Sequence, residues 1–166
     1  MATTNTIEKI SEVKTTAIFS KDMKHRYCLR MEWDKKKKSC AIIMTYPSTA
    51  DELIIDQTTM LTRNGAVINK FGSISIVNVF SLLNSETPKS DRQNTSVILD
   101  ECSKADVIIV AFGRNTAHQE QKDDTLKLIG DYKDKLYTIR DKNDLPFSHP
   151  LSPKCRDWNI VKLDIA

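Results

Sequence analysis

What is scarce narrows the possibilities first. Four glycines and five prolines among 166 residues exclude a collagen-like or low-complexity chain. No apolar run approaches the ~20 residues that cross a bilayer as a helix. The polar start, residues 1–12, lacks the apolar stretch of a secretory signal. A cytoplasmic protein with no membrane partner is therefore expected. The four cysteines, Cys28, Cys40, Cys102 and Cys155, are scattered and form no Cys-x-x-Cys pair. They read as free core thiols, not as a zinc or dithiol redox site. The chain also lacks a Walker phosphate loop, a Gly-x-Gly-x-x-Gly, a Gly-x-Ser-x-Gly elbow and any metal-type histidine spacing. These absences argue against a nucleoside triphosphatase, a dinucleotide dehydrogenase and a serine hydrolase, and they point to no cofactor and no metal. Charge is nearly balanced: 25 Lys+Arg against 22 Asp+Glu leave a net +3, too little to indicate a nucleic-acid partner by itself.

What is present suits one domain over residues 1–166, with 1–12 as a flexible N-terminus. Hydrophobic residues make up 40% of the chain, enough for a core without disulfides or metal. Strand patterns fall at 13–20 and 26–33, the second alternating in the manner of a half-buried strand near a sheet edge. Lys35 to Lys38 read as a solvated hairpin tip that also protects that edge. Continuous apolar runs at 40–45, 74–80 and 106–112 fit strands buried on both faces. Shorter strands are expected at 136–140 and, at an edge, 158–165. Asp56 reads as the N-cap of a helix reaching about Asn69, weakened in its middle by Gly65. A second helix spans 91–104. A third, capped by Asn115 or by Thr116 with Gln119 in a capping box, runs to about Lys133. Buried strands alternating with helices predict an α/β fold: a three-layer α/β/α sandwich, mainly parallel, with an antiparallel N-terminal hairpin at the edge.

In such folds ligands bind beyond the carboxyl ends of the strands. That rule nominates the loops after Thr45, Val79 and Phe112. The first carries Pro47-Ser48-Thr49-Ala50-Asp51, with Asp56 close behind. Its hydroxyls and carboxylates can bind a sugar or phosphate oxygen or position a water. The same residues are also ordinary caps and turn formers for a strand-to-helix connection. His149, held in Pro146-Phe147-Ser148-His149-Pro150, can donate to a developing negative charge or be a plain surface-loop histidine. Arg26, Arg30, Arg63 and Arg114 are phosphate-contact candidates if the fold brings them to these loops.

The order of several segments resembles a known family. They are Arg26-Tyr27-x-Leu29-Arg30-x-x-Trp33, then Ile42-Ile43-Met44-Thr45-Tyr46-Pro47-Ser48-Thr49-Ala50-Asp51, then Asp56-x-Thr58-Thr59. Ile76-Val77-Asn78-Val79-Phe80, Val110-Ala111-Phe112-Gly113 and His149-Pro150-Leu151 follow. This order resembles the bacterial family called domain of unknown function 1643. Its motif order is in turn similar to the uracil-DNA glycosylase superfamily. That resemblance implies an α/β/α sandwich whose pocket takes a flipped-out base. It implies a late histidine that stabilises the departing base, here His149, and a motif proline, here Pro47. Asn78 falls where that superfamily has a strand-end asparagine. The water-handling Asp or Asn would fall at Tyr46, and a phenol is not a carboxylate base at neutral pH. Asp51 or Asp56 would then position the water, or no glycosidic bond is cleaved.

The expected function is therefore base recognition of glycosylase type on DNA or nucleotides, with or without hydrolysis of a base–sugar bond. Tyr46, Pro47, Ser48, Thr49, Asn78 and Phe80 would line the pocket, and Arg30, Arg63 and Arg114 would meet phosphates. The alternatives are a catalytically silent nucleotide-binding module, in which Tyr46 stacks a base, and a protein-interaction adaptor.

Overall fold

The computed structural model describes residues 5–85, 87–89 and 91–165. The first four residues of the segment expected to be flexible lie outside the described residues. Seven strands form one sheet: β1 (Lys14–Phe19), β2 (Arg26–Glu32), β3 (Ser39–Met44), β4 (Ser73–Asn78), β5 (Val107–Val110), β6 (Leu136–Arg140) and β7 (Asn159–Lys162). Their order across the sheet is β1-β2-β4-β3-β5-β6-β7. The central strands β4, β3, β5 and β6 run parallel, while β1–β2, β2–β4 and β6–β7 pair antiparallel. The sheet is thus mixed, and the expectation of a mainly parallel one holds only for its centre. β1 and β2 are joined by a short turn that cannot give a parallel pair, and β7 returns antiparallel to β6 through residues 141–158.

Three α-helices, α1 (Gln57–Ile68), α2 (Arg92–Lys104) and α3 (Gln119–Leu128), accompany the strands. Successive side chains of a strand point to opposite faces, so each central strand feeds two cores. Ala41, Ile43, Val77, Ile108 and Val110 pack on one face with Ile98 and Cys102 of α2 and with Ile129. Cys40, Ile42, Met44, Ile76 and Ile109 pack on the other with Ala66 of α1 and with Trp158. This two-sided burial is why these strands read as unbroken apolar runs. All four cysteines are buried free thiols, and burial pushes the Cys102 thiol up to about 12.

Two local expectations are corrected. The lysine run joins β2 to β3, which are not neighbours because β4 lies between them, so it is a crossover and not a hairpin tip. The third helix starts at Gln119, after a left-handed His118 (φ 56°) with no side-chain cap, and it ends at Leu128. Asn115 instead closes a turn of its own, its Oδ1 accepting from the Ala117 N–H at 2.6 Å. A separate 3-10 helix, Gly130–Lys135, follows α3. Gly65 has a packing reason that propensity does not reveal. A Cβ there would sit 2.6 Å from the Trp158 indole Nε1 and closer still to two ring carbons. Among the described residues no helix is long and apolar enough to cross a membrane.

Candidate functional site

The carboxyl ends of β3, β4, β5 and β6 lie together because these strands are parallel, and the loops leaving them meet above that end of the sheet. Backbone hydrogen bonds join these ends across strands: Val79 N–H donates to the Met44 carbonyl and Ala111 N–H to that of Ile43, both at 2.9 Å. The Thr45 hydroxyl donates to the Phe112 carbonyl at 2.8 Å.

Beneath the Pro47–Asp51 loop lies Arg26, only 1% exposed. Its Nη1 donates to the carbonyls of Ala50 (2.7 Å) and Ser48 (3.1 Å) and approaches the Ser48 hydroxyl at 3.2 Å. Nη2 reaches Asn78 Oδ1 at 3.4 Å, and Asn78 Nδ2 donates to the Tyr46 carbonyl at 2.7 Å. A loop with little secondary structure thus has its carbonyls satisfied by one buried guanidinium, whose five donors suit that task. Asp56 is half-buried at the other end of this network. It caps α1, Oδ1 accepting from the Thr59 N–H at 2.8 Å. Burial pushes its carboxyl up. Hydrogen bonds from the Thr59 N–H and the Ser48 and Thr59 hydroxyls, with the Arg26 charge, outweigh that and hold it below the usual range. Asp56 is ionised at neutral pH.

His149 is fixed by the strand ends. Gly113 N–H donates to the Phe147 carbonyl at 2.8 Å, Ser148 N–H to that of Ile139 at 3.0 Å, and Phe147 N–H to the Thr138 hydroxyl at 2.8 Å. Gly113 adopts φ 82°, a left-handed conformation open to glycine, and the His149 Cβ lies 3.5 Å from where a Cβ on it would be. The Leu151 N–H donates to His149 Nδ1 at 3.1 Å. The neutral ring therefore carries its proton on Nε2. Burial lowers the ring's pKa below the ordinary value, and the nearby Asp56 charge opposes that in part.

A cavity of about 110 Å³ lies beside this histidine, lined by Thr45, Tyr46, Phe112, Asn115, Ala117, Lys122 and His149. Among the described residues no carboxylate lines it. Lys122 is 3% exposed, and its ammonium donates to the Asn115 carbonyl. Tyr46, 45% exposed, forms the lip. Its ring stacks on buried Phe80 at 5.8 Å, and the His118 ring meets both edge-on at 5.9 and 5.0 Å. These separations fall in the favourable range for aromatic pairs.

The structure thus brings Tyr46, Phe80 and His149 to one place, with Pro47, Ser48, Asn78 and Asp56 immediately around them. Ser48 and Asn78 are engaged by Arg26. Thr49 makes no side-chain hydrogen bond to a described residue and stands in the loop. Asp51 closes a turn, its Oδ1 accepting from the N–H groups of Leu53 (2.8 Å) and Ile54 (2.6 Å), which lower its pKa. Arg114 follows Gly113 at the rim and pairs with Asp141 at 3.2 Å. Arg30 and Arg63 are not brought to these loops. Arg30 sits level with Ser75 and grips buried Glu101 of α2. Arg63 lines a groove with Trp33, Val67 and Ile68 near the opposite end of the central strands.

Sequence reasoning passed over Lys122 and the ring role of His118. Lys122 looks like one of many surface lysines, and only its position one turn into a helix packed on the cavity sets it apart. Arg26 was one arginine among several. Its place at the head of a strand whose next three residues, Tyr27, Cys28 and Leu29, are apolar is the signal that it must find internal acceptors.

Residues 26–151 match the family described as Protein of unknown function (DUF1643). The chain belongs to this family. The match begins at Arg26 and ends at Leu151, so it contains the loop anchor, the Pro-Ser-Thr-Ala-Asp loop, the Lys122 cavity and His149. No curated protein and no solved structure matches the chain.

Proposed function

We propose that the protein recognises a nucleobase, as part of a nucleotide or of single-stranded or unpaired DNA, at the carboxyl ends of the parallel strands. The observation that carries this reading is the Tyr46 ring. It is half-exposed at a cavity lip, backed by Phe80 and held at its edge by His118. An aromatic face held in this way can stack a base of any identity, worth about 1–3 kcal/mol per base. The cavity behind it has room for three or four waters, taking roughly 30 Å³ for each, which suits one planar ring or one small group and not a whole nucleotide.

In this reading the fold is the three-layer α/β/α sandwich of the uracil-DNA glycosylase superfamily and the protein works in the cytoplasm. The base lies on the Tyr46 face, and Asn78 keeps the Tyr46 backbone in place. Cleavage of the base–sugar bond is the second reading. It draws on Asp56, whose ionised carboxylate acts on His149 and could order a water. Against it stands the cavity wall, which has no carboxylate among the described residues.

The test is a titration of the full chain with free bases, nucleosides and short single-stranded DNA, with an assay for released base. Binding that is lost in Tyr46→Ala supports recognition. Release that disappears in Asp56→Asn and His149→Gln supports hydrolysis. No binding to any of these ligands sinks both.

A further inference from the structure

We propose that the cavity beneath Tyr46 is a phosphate subsite in which Lys122 and His149 together hold one phosphate group. Lys122 is the most buried lysine described, and its ammonium has one hydrogen-bond partner among the described residues, the Asn115 carbonyl. No described carboxylate stands within ion-pair distance of it. A buried ammonium is ordinarily paired with an anion, because leaving its charge without a partner away from water is costly. Here the space where an anion would stand is a cavity.

The wall around that space supplies donors. Lys122 has three N–H groups and the Asn115 carbonyl uses one. His149 accepts at Nδ1 from the Leu151 N–H, which leaves Nε2–H as the ring's donor. The two side chains come from different elements, α3 and the Pro146–Pro150 loop, and both line the same small cavity. A tetrahedral anion with several oxygens can meet both at once. Among the described residues no aspartate or glutamate lines the cavity, and the Asp56 charge that acts on His149 stands outside the lining. Burial lowers the Lys122 pKa, and a bound anion would raise it again.

This subsite goes beyond base recognition, because free phosphate fills it as well as a nucleotide's phosphate does. The two sources are separable by experiment. The full chain is titrated calorimetrically with inorganic phosphate, with a pyrimidine nucleoside and with that nucleoside's 5′-monophosphate. The same titrations are run on Lys122→Met, which keeps the stem volume and removes the charge. Inorganic phosphate should bind the wild type at millimolar concentration or below, and Lys122→Met should weaken it at least tenfold. A monophosphate that binds more tightly than phosphate identifies a nucleotide as the source, and equal affinities identify free phosphate. Nucleoside binding that survives in Lys122→Met belongs to the Tyr46 face alone. Phosphate binding without nucleoside binding removes the base reading and keeps the subsite. Should Lys122→Met fail to fold, the wild type is reductively methylated with carbon-13 and the Lys122 resonance is followed against pH. Its pKa should rise on adding phosphate. No phosphate binding, equal binding by Lys122→Met, or a pKa unmoved by phosphate overturns the proposal.

Discussion

Replacing Arg26 by Met should loosen the loop that carries Tyr46 and Ser48. The substitution keeps an unbranched apolar stem in a site that is 1% exposed and removes the guanidinium. Four contacts are lost. Two of them, to the carbonyls of Ala50 at 2.7 Å and Ser48 at 3.1 Å, have good lengths, while those to Ser48 Oγ and Asn78 Oδ1 are longer at 3.2 and 3.4 Å. A hydrogen bond to a charged group contributes about 1.5–3 kcal/mol, and a buried acceptor left empty keeps its desolvation penalty. Two such bonds give about 3–6 kcal/mol, reduced by the desolvation that the guanidinium no longer suffers. The expected loss is therefore about 3–5 kcal/mol. For a domain of this size it lowers the melting temperature by roughly 6–20 °C, at about 2–4 °C per kcal/mol. Urea denaturation read by tryptophan fluorescence measures it, with the slope m unchanged if only stability moves. Ser48→Ala is the control: it removes the long contact from Arg26 and the hydroxyl's bond to Asp56 but leaves both carbonyl bonds, and it should cost about 1–2 kcal/mol. A loss below ~1 kcal/mol in Arg26→Met would refute the claim that this guanidinium holds the loop.

Gly65→Ala should destabilise the protein, although helix propensity alone favours alanine by about 1 kcal/mol. Its Cβ would collide with the Trp158 indole, and overpacking costs roughly 1–3 kcal/mol; a gain in the denaturation midpoint would contradict the packing account. Asp56→Asn gives up the charge that Arg26 and the Ser48 and Thr59 hydroxyls favour, so it should cost some stability, although it keeps the helix cap because asparagine caps as well as aspartate does. It should also lower the His149 pKa further, since the Asp56 charge is what raises it; proton NMR titration of the ring reads this. His149 titrates below its ordinary value in the folded chain, so the unfolded chain binds more protons. Its stabilisation is complete above the unfolded value of about 6.5 and is lost as pH falls from there toward the folded value. His149→Gln should flatten that segment of a melting-temperature profile. The depressed carboxyls of Asp56, Glu101 and Asp141 act only at lower pH, below about 4.5.

The central strands were readable because burial on both faces leaves an unambiguous pattern: Ile42-Ile43 and Ile108-Ile109 send neighbouring side chains into opposite cores. The Asp56 cap was readable because capping is local, and the cap is there. The antiparallel β1–β2 hairpin at the edge was readable too, but the pairing of β2 with β4 and of β7 with β6 was not, since it depends on which strand each meets across the sheet. The start of α3 was misread because two good capping residues, Asn115 and Thr116, precede a left-handed His118 whose ring is held by Tyr46 and Phe80. Tertiary contacts there override local propensity. The same holds for the site. The loops could be nominated from strand ends, but the convergence of Lys122, His118 and His149 joins residues from α3 and two loops. The separate fates of Asp51 and Asp56 likewise follow from three-dimensional neighbours.

Base recognition at the Tyr46 face is tested most directly by a proton–nitrogen NMR titration of the full chain with a pyrimidine nucleoside. The account predicts saturable shifts at Tyr46, Phe80, His118 and His149, and their disappearance in Tyr46→Ala. Saturable shifts that persist in Tyr46→Ala, or that fall instead on the Trp33–Arg63 groove, would contradict it, as would no shifts at all.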